Sequence, residues 1–465
     1  MLRYLKKSFY HDYSPHYWPN FKLALPVVLS QAGQMVVGLA DTIMVGQLGA
    51  TELAAVSFAN SIFTIGLVVN IGLAIAVTPL VGKAHGANKP KKCGYWLKQG
   101  LVANFIFALL QIVLMFGVSF TMPFMGQESA VVQAAIPYYL ILVSSILPFS
   151  IFMVFKQFSE GIANTRIAMV ITLVANITNI ALNYILIFGK AGFPQLGIDG
   201  AGWATLISRI LMPLAFIIVF IRLPFFELYK ASFKKAKIRF KEIVSVIKVG
   251  VPIGGQMVIE VFAFSMGAIM MGWINQESMA AHQIVISMAS VTYMMSMGLS
   301  AAATIKVSNY LGAGDWSNLK HSAYAIIHKV IIFMFFTAIL FIGLRNFLPT
   351  LFVDDVNVIN IAATLMVVAG IFQLFDGLQA VWLGALRGLE DVRMPTVIAF
   401  ITWIILALPI SYICTFVLNM GPIGVWLGYL FGLFAGSILL HIRFAQMYRK
   451  MSNNTPLGAN SEKSS

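Results

Sequence analysis

The sequence predicts an all-α polytopic membrane protein, with twelve transmembrane helices in two six-helix bundles related by a pseudo-twofold along the membrane normal. Three observations lead there. Of 465 residues, 59% are hydrophobic and only 10% charged, against about a quarter charged in an ordinary soluble domain. Apolar runs of 20 or more residues recur along the chain, each long enough as a helix to cross a hydrocarbon core of about 30 Å. The second half of the chain also repeats the first.

Residues 1–20 are basic and aromatic but lack an apolar core and a small-residue cleavage site. They therefore read as an interfacial N-terminal segment held by its rings rather than as a signal peptide. Spans follow at 21–46, 53–80, 95–117, 131–155, 166–189 and 198–222, forming a first bundle over 21–222. The longest polar stretch, Arg222 to Glu242, marks a basic cytoplasmic linker over 223–246. Six further spans, 247–274, 279–305, 321–345, 357–384, 396–419 and 422–447, form a second bundle over 247–447. The polar end, 448–465, reads as a disordered cytoplasmic tail. Cys93 and Cys414 lie far apart and read as unpaired packing residues, because two cysteines alone establish neither a disulfide framework nor a metal site.

The net charge of +14 is topological. Of 31 Lys and Arg, 28 fall on alternate connections counted from the N-terminus; Lys190 and Arg345 lie on the other side and Arg209 within span six. That asymmetry is the positive-inside rule and places both termini in the cytoplasm. Nucleic acid is not an expected partner; the lipid bilayer is.

The repeat is read at an offset of 226 positions: Pro26 falls on Pro252, "ELAAVS" at 52–57 on "SMAAHQ" at 278–283, and "GLAIAVT" at 72–78 on "GLSAAAT" at 298–304. Further along the offset drifts, with "EGIANTR" at 160–166 matching "RGLEDVR" at 387–393. An even number of spans per copy gives both copies the same orientation, a design found in secondary transporters.

Three acids fall deep within spans: Asp41, Glu260 and Asp376. A carboxylate at mid-bilayer costs roughly 2.5–3.5 kcal/mol on insertion scales, so it implies a use. Loading a proton neutralises it; a hard monovalent cation held with amide and hydroxyl oxygens does the same. Either occupant stabilises one conformation over another. Arg209 is the only arginine expected within a span, so at most one acid has such a partner, and it reads as structural. Gln34, Gly38 and Asp41 share a helical face, as do Thr172, Asn176, Asn179 and Asn183, and Gln379 lies one turn after Asp376. For Asn179 and Asn183, interhelical glue and an ion site stay open together; Asn176 reads as glue. The acids are not duplicated with the scaffold: Glu260 falls on Gln34 and Asp41 on Gly267. Each half is therefore expected to hold a chemically distinct site. Nine of the 24 methionines crowd into 257–297, where an adaptable cavity and ordinary packing stay open alike. For His282 a satisfied interhelical contact and a gating role stay open.

"LADTIMVGQLGATELAAVS" at 39–57, "SMAAHQIVISMASVTYMMSMGLSAAATIKVSNYLGAGD" at 278–315 and "ALRGLEDVRMP" at 385–395 resemble the multidrug and toxic compound extrusion (MATE) family. "NITNIALNYILIFGKAGFPQLGIDGAGWAT" at 176–205 resembles its NorM-like branch. The resemblance implies ion coupling at Asp41, with Asn179, Asn183, Thr205 and Tyr139 as its polar partners. It implies a cation site, for Na⁺ or H⁺, at Glu260 and Asp376; Gln34, His282 and Gln379 join the supporting polar groups. Asn183 stands where some relatives have an acid, which weakens a proton relay confined to the first half. The activity implied is efflux of small organic, often cationic, drugs from the cytoplasm by cation-coupled antiport and alternating access. It would come from a monomer in the plasma (inner) membrane, with no cofactor beyond the coupling ion. No G-x-x-x-x-G-K-[ST] loop is present, so an ion gradient is the expected energy source.

Other classes fit less well. A lipid-linked oligosaccharide flippase of related architecture would show a strongly basic span lining, where only Arg209 qualifies. An intramembrane enzyme would leave the duplication unexplained, and no H-E-x-x-H or other catalytic arrangement is visible. A passive channel gains little from titratable groups buried in separate halves.

Overall fold

The computed structural model describes the backbone of residues 2–453 and the side chains of residues 12–453. Among these, twelve helices are long and apolar enough to cross a membrane, and the described residues are otherwise helical or in short connections. The first runs without a break from Leu2 to Gly46, so the N-terminal segment and the first span are one rod. The last, Pro422–Asn453, continues into the stretch expected as a disordered tail; 454–465 of that tail lie outside the described residues.

The duplication is visible in the local backbone. Gly49 and Asn275, 226 apart, are both N-caps of the second helix of their half. Asn88 and Gly314, also 226 apart, take φ of 55° and 73°; Ala163 and Glu390, 227 apart, take 60° and 62°. Non-glycine residues pay for a left-handed conformation, so its recurrence at matching positions marks two copies of one chain path.

Two compact units divide the contacts. One comprises 25–85 and 89–258. Its core gathers Phe152, Phe158, Phe216 and Phe226 on one side, and Phe63, Tyr139, Ile146 and Ile187 on the other. Proline shapes two of its spans. Span two breaks between Ala50–Ile75 and Val77–Gly86, and span four between Ser129–Ser144 and Ile146–Gly161. Pro79 and Pro148 each lie four residues past the last helical carbonyl, which they can neither hydrogen-bond nor clear sterically. The second break leaves Ser145 buried at the joint, its Oγ donating to Leu142 O at 2.5 Å.

The other unit comprises 1–24, 86–88 and 259–465. The first helix up to residue 24 is fastened within it. Asn20 Nδ2 donates to Ser322 O (3.2 Å), Ser322 Oγ returns a bond to Asn20 Oδ1 (3.1 Å), and Tyr17 Oη lies 3.1 Å from His328 Nδ1. Trp18, 69% exposed, remains free to anchor at an interface. In span eleven the segments Ile401–Ala407 and Ile413–Val417 are π-helical, on either side of Pro409. Span twelve closes on them through glycines four apart. At Gly428 a Cβ would come within 2.5 Å of Ala407 O, and at Gly432 within 2.7 Å of the Ala407 side chain. Small residues every fourth position let two helix backbones approach closely in lipid, where no hydrophobic effect drives them together.

Candidate functional site

Each unit holds one buried polar cluster built around the acids expected from the sequence. In the 25–258 unit, Asp41 on span one accepts a hydrogen bond at Oδ1 from Asn183 Nδ2 on span five. The same Nδ2 donates to Asn179 Oδ1 one turn earlier, at 3.2 Å, and Asn179 Nδ2 reaches Thr205 Oγ1 on span six at 3.5 Å. Asn183 is fully buried. The chain of donors borders a cavity of about 260 Å³ lined by Gln34, Asp41, Asn176, Asn179, Thr205 and Arg209 among others. Five of the sequence-expected residues (Gln34, Asp41, Asn179, Asn183, Thr205) thus converge. Among the described residues, Asn183 Oδ1, Asn176 Nδ2 and Ser208 Oγ are buried without a hydrogen-bond partner. A buried polar atom left unpaired costs about 1–3 kcal/mol, so these atoms mark a place where a ligand or water is accommodated.

Arg209 is part of this site rather than a remote structural residue. Its Nη1 donates to Ser145 Oγ at 2.7 Å, at the joint of span four. Its guanidinium carbon lies 5.2 Å from the Phe63 ring centre and 4.9 Å from that of Phe149. Between two aromatic faces it keeps its charge in a dry setting, and it lies within electrostatic reach of Asp41. Tyr139, the expected span-four tyrosine, points elsewhere: its hydroxyl donates to Met115 O at 3.1 Å. Its neighbour Tyr138 is the one within electrostatic reach of Asp41 and Arg209. A single residue step on a helix turns a side chain by about 100°, which is enough to separate the two. Asn176, expected as glue, lines the cavity instead.

In the other unit, Glu260 Oε1 accepts from Gln379 Nε2 at 3.1 Å. Asp376 lies one turn before Gln379 on span ten, within electrostatic reach of Glu260. Tyr293 of span eight faces both acids, and Arg387 interacts with Glu260 and Tyr293. Gln379 Oε1 is buried without a partner among the described residues, beside Gly436, where a Cβ would come within 2.5 Å of it. The expectation of one in-span arginine is therefore corrected. Span ten runs to Gly388, which brings Arg387 into the helix and gives Glu260, like Asp41, a cationic neighbour. The signal was present: Asp376, Gln379, Leu383 and Arg387 follow a spacing of three, four and four. Tyr293 had no comparable signal amid its methionine-rich run.

Two further expectations change. Span four continues to Gly161, so Glu160, 4% exposed, is a further acid within a span; Lys156 faces it at 4.0 Å across one helical turn. His282 is not a satisfied hydrogen-bonding contact. Its ring packs edge-on to Trp426 at 5.7 Å and near Tyr429, and its Nδ1 has no partner among the described residues. Met270 and Met271 of the methionine-rich segment are buried in core packing, whereas Met279 is exposed.

Comparison with known proteins identifies the family. The MatE family model matches residues 26–185 and again 252–413, once per repeat. A probable multidrug resistance protein NorM of Rhizobium meliloti is 33% identical over 95% of this chain and 96% of its own length. The multidrug resistance protein NorM of Photobacterium profundum is 32% identical over 93% and 96%. Among solved structures, the eukaryotic MATE transporter AtDTX14 superposes with a TM-score of 0.84 at 20% identity, covering 95% of this chain and 99% of that one. A variant of the Vibrio cholerae MATE transporter VcmN superposes with a TM-score of 0.85 at 17% identity, covering 95% and 98%. A twelve-span helical chain that matches the family model in both halves, and matches NorM proteins along nearly its whole length, belongs to the MATE family of multidrug transporters and is an integral multi-pass membrane protein, not an enzyme.

Proposed function

We propose that this transporter is a cation-coupled antiporter, driven by Na⁺ or H⁺, that exports small organic, often cationic, compounds from the cytoplasm. It would work by alternating access, as a monomer in the plasma (inner) membrane with both termini cytoplasmic. The observation that supports coupling most directly is the composition of the Glu260 cluster. Glu260 and Asp376 share one site with Arg387, which acts on Glu260, with an amide carbonyl left without a partner among the described residues, and with a phenol within electrostatic reach; one guanidinium leaves the second carboxylate uncompensated. Like charges brought together away from water cannot both remain ionised and empty. One proton, or one monovalent cation held by several oxygens, resolves the conflict. The Asp41 cluster differs in count: one carboxylate, with a donor from Asn183, stands against one guanidinium, that of Arg209. It suits a step in which a proton or organic cation exchanges with that network. Orientation in the membrane is supported by the 28 of 31 basic residues on alternate connections.

One monovalent cation entering down 100 mV supplies about 2.3 kcal/mol, and a tenfold concentration difference adds about 1.4 kcal/mol. Together they hold a neutral compound at a few hundredfold excess outside. The test is resistance in cells expressing Asp41→Asn, Glu260→Gln or Asp376→Asn, with membrane abundance measured in parallel. Each variant is expected at wild-type abundance with export lost. Full resistance from all three would dispose of the coupling role.

A further inference from the structure

We propose that the linker helix and the ends of spans three, four and six form a binding site for one anionic phospholipid, taken from the leaflet that the linker faces. The linker is more than a basic tether. Within it, Glu227–Lys235 is a helix with two different faces. Phe226, Tyr229 and Phe233 pack inward: Phe226 and Tyr229 are buried, with rings 6.4 and 5.6 Å from that of Phe158, and Phe233 lies 6.0 Å from Phe220. Lys98 Nζ donates to Ala236 O at 2.8 Å, and Gln99 Nε2 to Lys237 O at 2.8 Å, which clamps the C-terminal end of the helix to span three. The helix is thus fixed in place rather than loosely tethered.

Its other face, carrying Lys230 and Lys234 four residues apart, borders a cavity of about 980 Å³ in the same unit. The walls are apolar, led by Phe105, Phe155 and Phe220. Phe105 is 43% exposed on the outer surface of span three, so the cavity opens where the spans meet hydrocarbon. An occupant must therefore be apolar over most of its length. The rim sets its head. Lys230 Nζ is shared between Glu227, at 2.9 Å, and Ile221 O, at 2.8 Å. Lys234 is exposed and makes no hydrogen bond or ion pair among the described residues. Of the charged residues that line the cavity, Lys230 and Lys234 stand against Glu227, so the rim is positive even after Glu227 is counted. An acyl chain in an aromatic groove with a phosphate at paired lysines satisfies both ends. Basic pockets at this depth recognise anionic head groups.

The test uses the purified full-length protein in detergent, with palmitoyl-oleoyl phosphatidylglycerol or the matching phosphatidylcholine added, and retained lipid counted by native mass spectrometry. Wild type is expected to retain one phosphatidylglycerol at about tenfold preference over phosphatidylcholine. Lys230→Gln/Lys234→Gln is expected to lose that preference, and Lys234→Gln alone, at an exposed side chain that holds nothing else, to lose about fivefold. Ala231→Trp, which fills the groove, should reduce retention of both lipids. Thermal melting provides a second reading: phosphatidylglycerol raises the wild-type midpoint and leaves that of the double variant unchanged. Equal retention of the two lipids, undiminished preference in the lysine variants, or stabilisation reproduced by inorganic phosphate alone would each overturn the assignment.

Discussion

Gln379 offers a way to separate an ion site from interhelical glue. Its amide nitrogen donates to Glu260 at 3.1 Å, while its amide oxygen is buried without a partner among the described residues. Gln379→Leu removes both at once. Losing a hydrogen bond to an ionised acceptor costs about 1.5–3 kcal/mol, and removing an unsatisfied buried acceptor returns about 1–3 kcal/mol. The two nearly cancel, so the empty protein should melt within a few degrees of wild type. Occupancy does not cancel. The oxygen that has no protein partner is the one free to complete a cation's shell, and losing the group that orients a ligating carboxylate typically costs 10- to 100-fold in affinity. The assay is the melting midpoint of purified protein titrated with NaCl against choline chloride, and separately with pH. The variant should need about 10- to 100-fold more of whichever cation stabilises wild type. A large loss of stability with an unchanged cation titration would show that Gln379 only joins spans seven and ten, and would refute the reasoning.

Other expectations are narrower. Tyr138→Phe should reduce drug export by reaching the Asp41 network, whereas Tyr139→Phe should leave export near wild type and cost about 1 kcal/mol of stability through the lost bond to Met115 O; resistance and melting of the two variants check this. Gly428→Leu should prevent span twelve from closing on span eleven, with a loss of more than about 3 kcal/mol seen as reduced melting midpoint and membrane yield, because its Cβ alone would come within 2.5 Å of Ala407 O. Arg387→Met should destabilise by about 3 kcal/mol, since it leaves the Glu260 charge without its cationic neighbour. Adding Glu260→Gln to that variant should recover part of the loss in the same melting assay.

Much of this molecule is legible in its sequence because lipid imposes simple rules. Span number follows from run length, and the repeat from matches such as Pro26 with Pro252 and "GLAIAVT" with "GLSAAAT" at one offset of 226. Acids within spans announce themselves by cost, so Asp41, Glu260 and Asp376 stand out in the sequence, and the structure sets them in two polar clusters. Their helical-face neighbours Gln34, Asn179, Asn183 and Gln379 followed from spacing. What failed depended on quantities that hydropathy does not carry. Charged residues near span ends read as loop, although the helices of spans four and ten extend past them; Glu160 and Arg387 were misplaced for that reason. The choice between Tyr138 and Tyr139 is a matter of helix phase, and the break at Ser145 between the two parts of span four resets it. Arg209 was placed correctly within its span, but its role came from partners on span four that sequence distance conceals.

The central claim is that occupancy of these buried acids by a small cation powers export. Proteoliposomes loaded with a fluorescent organic cation and given an imposed Na⁺ gradient or an imposed H⁺ gradient, each alone, test it most directly. Transport should follow one of the two gradients, reverse when that gradient is reversed, and vanish in Glu260→Gln. Equal transport with neither gradient imposed, or gradient-driven transport retained by Glu260→Gln, would contradict the account.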